Sequence, residues 1–571
     1  MLVGLVLVVL ALVAWAGWLA LRTRSELVDA RAHARELSHE LADGNDTRAA
    51  TSLEAFTRSV DAARGHTRSP VWRLAEHLPY VGDDARAVAT VADVGHDVAH
   101  EALGPLVDEA GGGVAQQLSP HDGRFDLEAL HRLQPVLTRA RRSLDTADGR
   151  LSRVDRSALL GSVRAALDDL GGQVGDARRG IDAADRAVAV LPAMLGEHGA
   201  RQYLLLFNNN AEIRASGGMP GAWALVRATD GKIELVRQGS ARDFPEFTAP
   251  VLPQTAAEKA IYNVQPTVFF PDINFTPEFP RTADLAREMF QRTDGQKVSG
   301  VIGVDTVTLG YLIGATGDIR VPGGPTLTAA NAADTLLNGV YKTIHDPDAQ
   351  DAYFAQVAST VFDKVSGGVG SPTELARALT QSVREGRLHV HSFSPDEQAE
   401  FEGSAISGDL DFSARSRPQV GVYLDDATGS KMSYYLRTRV RMGPDGCTSS
   451  GQQLSGDADF SMVDPGPGKL DDYITGGGQY GTPAGQQLVL VRFYGPVGGT
   501  LSDFQFDGKP IHYTVVVDRG RPVVTTVVQL SAGQTVKVHW TTRTDRRESP
   551  QLSVTPGLGP APATRDIRSA C

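Results

Sequence analysis

Between Leu130 and Leu191 apolar residues return at alternating steps of three and four, and no other feature constrains the fold of this chain as strongly. One run reads Leu130, Leu133, Leu137, Ala140, Leu144, Ala147, Leu151 and Val154. A second reads Leu160, Val163, Leu167, Leu170, Val174, Ala177, Ile181, Ala184, Val188 and Leu191. A helix with such a stripe must bury it on another helix, and the frequent Ala predicts close packing. The same spacing recurs at Leu27, Ala30, Ala34, Leu37 and Leu41, and at Leu53, Phe56, Val60 and Ala63. Breaks at Gly44-Asn45-Asp46, Ser69-Pro70, His77-Leu78-Pro79 and Gly111-Gly112-Gly113 would fold these helices back on one another. Residues 22–196 therefore read as a coiled-coil-like stalk or α-helical bundle, a surface suited to self-association.

After Pro192 the period changes. Tyr203-Leu204-Leu205-Leu206-Phe207 is a short continuous apolar run, as in a strand buried on both faces. Ala222–Arg227 and Lys232–Arg237 flank Asp230-Gly231, a hairpin signal. A helix is predicted over Phe279–Arg292, a strand over Val298–Val304, and a helix from Asp305 through Leu312. This alternation predicts an α/β domain over 200–408. From Pro418 the pattern is β: Met432, Tyr434, Leu436, Val440 and Met442 alternate with polar residues, and Asp518-Arg519-Gly520-Arg521 marks another hairpin. A C-terminal β-sandwich over 418–556 and a mobile Pro/Gly-rich tail over 557–571 complete the reading. A length of 571 residues suits such a multidomain chain.

Residues Leu2–Leu21 are uncharged and mostly apolar, and as a helix would match a bilayer core. Ala14-Trp15-Ala16 offers a competing signal-peptide reading. The apolar run continues past that point with no basic lead before it, so a retained single-pass transmembrane helix is expected. Arg22, Arg24, Arg31 and Arg35 follow the run, and the charge rule taken alone would keep the bulk of the chain inside. The formal net charge of −12, without a Lys/Arg-rich run, argues against a nucleic-acid partner. The two cysteines, Cys447 and Cys571, have no metal-ligand spacing; they are either a disulfide tying the tail to the last domain or two unrelated thiols.

The most unusual stretch is Asn208-Asn209-Asn210-Ala211-Glu212-Ile213-Arg214-Ala215-Ser216-Gly217-Gly218, directly after a predicted buried strand. Ligands bind at such strand ends in α/β sheets, glycines let backbone N–H groups approach an anion, and an arginine can fork onto a phosphate. Asn209, Glu212, Arg214, Ser216, Arg242 and Asp243 are the candidate ligand-binding residues; the alternative is a tight turn whose Arg214 pairs with Glu212 or Asp243. His389 and His391 share a strand face that reads as solvent-facing. His96 and His100 lack the Glu of H-E-x-x-H and read as a surface pair. Asp305 reads as a helix N-cap. No G-x-S-x-G elbow marks a hydrolase, and Pro465-Gly466-Pro467-Gly468 is a loop without a phosphate-cradling pattern.

The segment from Tyr203 to Gly218, with Asp230-Gly231-Lys232, Arg242-Asp243-Phe244-Pro245, Asn274–Pro280 and Val301–Asp305, resembles a family of uncharacterised bacterial membrane-anchored proteins known as a domain of unknown function. More distantly, the order of features resembles the LytR-CpsA-Psr family of extracytoplasmic phosphotransferases, which move glycopolymers from a polyprenyl-pyrophosphate carrier to the cell wall. That resemblance implies a cell-envelope location with the bulk of the chain outside. It further implies a pyrophosphate held by Arg214 and Arg242, and Mg²⁺ near Asp243. Ser216 stands where that family has an Asp, and Leu336–Lys342 and Asp351–Gln356 contain no arginine where the family has several. A phosphoryl-transfer site short of cations is slow or dead. The expected function is thus a membrane-anchored envelope protein with a ligand- or partner-binding α/β domain. The alternatives are an enzyme acting on polyprenyl-pyrophosphate-linked glycans, or a scaffold or adhesion protein presented to a cell-wall polymer.

Overall fold

The computed structural model describes residues 2–42, 46–109, 119–322, 324–413, 417–466, 470–478 and 480–571. The expected breaks at Gly44-Asn45 and Gly111-Gly112-Gly113, and the Pro467-Gly468 part of the later loop, lie outside the described residues. The chain divides into two compact units. One comprises Met1–Ser119 with Phe125–His198, the other Pro120–Arg124 with Gly199–Cys571.

The first unit is helical: α1 (Leu2–Ala42), α2 (Asp46–Thr67), α3 (Pro70–Ala75), α4 (Gly82–Asp97), α5 (Gly104–Glu109), α6 (Leu127–Ser152) and α7 (Gly161–Met194). A π-helical stretch, Val98–Leu103, joins α4 to α5. On α6 the stripe Leu130, Leu133, Leu137, Ala140, Leu144, Ala147 and Leu151 is buried. Its Ala140, Leu144, Ala147 and Leu151 pack with Leu167 and Val174 of α7 and with Ala87, Val94 and Ala102. A second core joins Ala30 and Leu37 to Leu53, Phe56 and Val60. Ser69 caps α3 by accepting from the Trp72 N–H, with Pro70 in the first turn.

The expectation of a transmembrane span over Leu2–Leu21 is overturned. Among the described residues no helix is long and apolar enough to cross a membrane. Leu2–Leu21 is not a separate element: the same helix runs on without a break to Ala42, carrying Arg22, Arg24, Arg31 and Arg35 along its length. Leu19 is buried in a cluster with Val71 and Trp72. The single-pass anchor, and the cell-membrane, extracytoplasmic placement built on it, are withdrawn.

The second unit begins with strands β1 (Arg201–Asn209), β2 (Met219–Thr229), β3 (Lys232–Ser240), β4 (Gly300–Asp305) and β5 (Leu388–Ser392). They form one sheet in the order β3-β2-β1-β4-β5. β1 runs parallel to β4, and the other pairs are antiparallel. Asp230 and Gly231, both at positive φ, make the two-residue turn between β2 and β3. Leu204, Leu206, Trp223 and Leu225 pack against Phe270, Phe279, Met289 and Phe290. Phe207 joins a separate core with Leu309, Ile313 and Val357. Asp305 ends β4 and caps the following helix, Thr306–Thr316, by accepting from the Thr308 N–H.

The same unit contains a β-sandwich. One sheet runs Lys509–Pro510, Thr500–Phe506, Thr535–Thr544, Gly451–Met462, Leu436–Thr448; the other runs Val515–Asp518, Arg521–Leu530, Gln487–Tyr494, Gln419–Asp426, Gln551–Val554, Thr564–Asp566. Trp540, Phe460, Phe493 and Phe504 fill its core, together with Ala211, Ile213, Leu337 and Tyr341 from the α/β part. The two folds therefore share one hydrophobic interior, and this is why they form a single unit.

The tail beyond Gly557, expected to be mobile, is held. Thr564–Asp566 pairs with Gln551–Ser553, Ile567 is buried, and Cys571 is disulfide-bonded to Cys447. Fully buried Arg387 donates to the Gly557 and Gly559 carbonyls at 2.7 and 2.9 Å. Its guanidinium also pairs with Asp305 at 2.7 Å and Glu385 at 2.6 Å. Arg387→Ala would leave two buried carboxylates without their cation, and we expect a loss of about 3–5 kcal/mol of stability. Urea denaturation and limited proteolysis after Thr555 check this; an unchanged midpoint with an uncleaved tail would contradict it.

Candidate functional site

A cleft of about 1060 Å³ opens at the carboxyl ends of β1 and β4, between the α/β sheet and the β-sandwich. Asn209 reaches it from the end of β1, Glu212 and Arg214 from the turn that follows, Arg242 and Asp243 from the turn after β3, and Asp426 and Lys431 from the sandwich. Five of the six candidate residues thus meet at one cleft. Ser216 is not in its lining: it is buried, and its hydroxyl donates to the Thr276 carbonyl at 3.0 Å.

The turn after β1 is built by its own side chains. Asn209 Oδ1 accepts from the Ala211 N–H at 3.0 Å, and the Asn209 carbonyl accepts from the Glu212 N–H. A Cβ at Gly218 would overlap the Asn209 carbonyl, so glycine serves here to fold the loop onto its own strand. The loop then docks on the sandwich. The Ile213 N–H donates to Ser433 Oγ at 3.1 Å and the Ala215 N–H to Asp425 Oδ1 at 2.9 Å. The Ala215 carbonyl accepts from Thr555 Oγ1 at 3.0 Å. The N–H groups of Ala211, Glu212, Ile213, Ala215 and Gly217 are therefore committed to protein.

Each cation in the cleft has a carboxylate beside it. Arg214, 6% exposed at its side chain, donates to Asp272 at 2.9 Å and lies over the Phe275 ring at 4.9 Å. Lys431 Nζ meets Glu212 at 2.7 Å and sits 4.8 and 4.3 Å from the ring centres of Tyr341 and Tyr473. Arg242, half-exposed, meets Asp348 at 2.9 Å and Asp351 at 2.5 Å. Asp243 caps its own turn: Oδ2 accepts from the Ser240 N–H at 2.8 Å and from Trp223 Nε1 at 3.0 Å. Asp243 Oδ2 is thus spent on the fold of its own turn. Among the described residues no group of three His, Cys, Asp or Glu side chains converges at the cleft in metal-binding range.

Burial sets the titration of this network. It pushes the Asp272 carboxyl above its ordinary value against the pull of Arg214. It does the same to Asp426, against the Arg214 charge and hydrogen bonds from Thr428, Gln487 and the Ser430 N–H. Burial opposes the Lys431 ammonium, but Glu212 and the two phenols outweigh it and the Lys431 pKa rises.

Residues 198–341 match the family model DUF4012, a protein of unknown function. No curated protein matches the chain, and no solved structure does. The DUF4012 segment supplies β1 to β4 and, at its end, Tyr341. Asp348, Asp351, Asp426, Lys431 and Tyr473 complete the cleft from beyond it. Sequence reasoning missed these five and Asp272. Only the acidic repeat Asp346-Pro347-Asp348 with Asp351 offered a local signal, since Lys431 lies 219 residues from Glu212.

The other candidates lie elsewhere. His389 is buried against Phe279 rather than solvent-facing, and burial lowers its pKa. His391 packs on Phe393.

Because the folded pKa of Asp426 is raised, its contribution to stability falls as pH rises from the ordinary carboxylate range through the raised value. Asp426→Asn removes that term. The stability of the variant relative to the parent should therefore increase between about pH 4 and pH 7. Urea denaturation at the two pH values measures it, and a constant or shrinking difference would contradict it.

Proposed function

We propose that the second unit is a binding module whose cleft takes a polyhydroxylated ligand of carbohydrate type, with no catalytic step assigned to it. What carries this reading is the charge of the lining. Six carboxylates (Glu212, Asp243, Asp272, Asp348, Asp351 and Asp426) face three cations (Arg214, Arg242 and Lys431), and each cation already has a carboxylate partner. A pyrophosphate would have to enter a net-acidic cleft and break an ion pair for each grip it made. Hydroxyl groups instead find acceptors, and the Tyr480 and Phe269 rings in the lining supply apolar surface for sugar rings. The volume exceeds that of a typical small-molecule pocket, leaving room for more than one ring.

A second reading, a LytR-CpsA-Psr-like phosphotransferase acting on polyprenyl-pyrophosphate-linked glycopolymers, draws support from one observation. Arg214, Arg242 and Asp243 do line a single cleft. Against it stand the pairing of both arginines and the capping role of Asp243.

Titration calorimetry of the full chain separates the two. A panel of neutral and amino-sugar oligosaccharides is expected to give saturable heats, weakened by roughly tenfold in Asp351→Asn, which replaces one carboxylate oxygen at the rim by an amide donor. A polyprenyl-pyrophosphate analogue is expected to give none, with or without Mg²⁺. Saturable, Mg²⁺-dependent binding of the pyrophosphate with no response to oligosaccharides would replace the first reading by the second.

A further inference from the structure

We propose that Asp61, His96 and His100 of the helical unit form a binding site for a borderline divalent transition-metal cation of the Zn²⁺ class. His96 and His100 lie one turn apart, His96 in the last turn of α4 and His100 in the π-helical stretch that follows. Asp61 comes from α2. The two helices approach closely here, since a Cβ at Gly95 would stand 2.9 Å from Val60 Cγ1. That contact, one residue before both His96 and Asp61, brings the carboxylate to the imidazoles.

The geometry is that of a ligand set. Asp61 Oδ1 stands 2.5 Å from His96 Nδ1 and 3.2 Å from His100 Nε2, and one ligand atom from each residue lies within 4.8 Å of the other two. Around a metal at Zn–N and Zn–O bond lengths, tetrahedral neighbours are separated by about 3.3 Å. Small rotamer changes therefore suffice. The imidazole rings lie side by side, with centroids 4.4 Å apart. Two imidazoles and one carboxylate favour Zn²⁺, Co²⁺, Ni²⁺ or Cu²⁺ over Mg²⁺ or Ca²⁺, which prefer all-oxygen sets. The side chains are 43, 25 and 46% exposed for Asp61, His96 and His100, so a cation has access and a coordination position is left for water. Without metal, Asp61 accepts hydrogen bonds from both rings, and that arrangement holds the site together for capture.

The test uses the metal-stripped full chain, titrated with ZnCl₂ by calorimetry and with CoCl₂ by visible absorption. One equivalent of Zn²⁺ is expected to bind saturably, and Co²⁺ to give d–d bands of a low-coordinate site. His96→Gln, His100→Gln and Asp61→Asn, which keep side-chain volume and helix content, should each weaken Zn²⁺ binding by about tenfold or more. Circular dichroism establishes that each variant is folded. Absence of saturable Zn²⁺ binding by the parent overturns the proposal, as does parental affinity in all three folded variants.

Discussion

Arg214 is withdrawn from water between an α/β sheet and a β-sandwich, and the carboxylate of Asp272 answers its charge. A buried charge without a partner is among the costliest features a fold can carry, so this contact dictates much around it. It requires the turn after β1 to leave the sheet at a set angle, which the glycines at 217 and 218 permit. It requires the sandwich to close over the turn, which the strand bearing Asp425 and Asp426 does: Asp425 binds the Ala215 N–H and pairs with Arg492. Lys431 with Glu212 is a second buried ion pair on the same turn. The joint between the two folds is thus polar at its centre and apolar around it, where Ala211 and Ile213 enter the sandwich core. Such pairs add little net stability, but they penalise every misaligned docking of one fold on the other.

The cleft follows from this joint. Two layers held together by a few committed side chains leave a gap wherever their surfaces diverge. Here the gap lies at the strand ends, where α/β sheets commonly place ligands. The acidic excess arises because the helix Pro347–Ser366 brings Asp348 and Asp351 to the rim while the interior cations are spent on structure.

What could be read from the sequence was what local chemistry decides. The continuous apolar run Tyr203–Phe207 is β1, the Asp230-Gly231 pair turns a hairpin, and the striped residues of α6 are its buried face. The prominence of the Asn209–Gly218 turn was legible too, because amides, charges and glycines rarely concentrate without cause. The purpose of its residues was not, because Asp272, Asp425 and Lys431 meet it only after folding, from 58, 210 and 219 residues away. The first twenty residues misled for a related reason. Their composition suggested an isolated span, whereas the helix continues well past Leu21 and Leu19 packs within the helical body. Asp61 was silent in the same way: nothing adjacent in sequence announces that two histidines on another helix will face it.

The bond between Cys447 and Cys571 spans 124 residues and ties Cys571 to a hairpin of the sandwich. Mechanically, Cys571 is no longer held by the paired tail strand alone. Tension applied to Cys571 passes through the disulfide to Cys447, at the end of the strand Leu436–Thr448, and the covalent path through the residues between the two cysteines is bypassed. A pull on Cys571 would therefore load the strand Leu436–Thr448 before the paired tail strand Thr564–Asp566, making the oxidised domain a closed mechanical loop and the reduced one an open string.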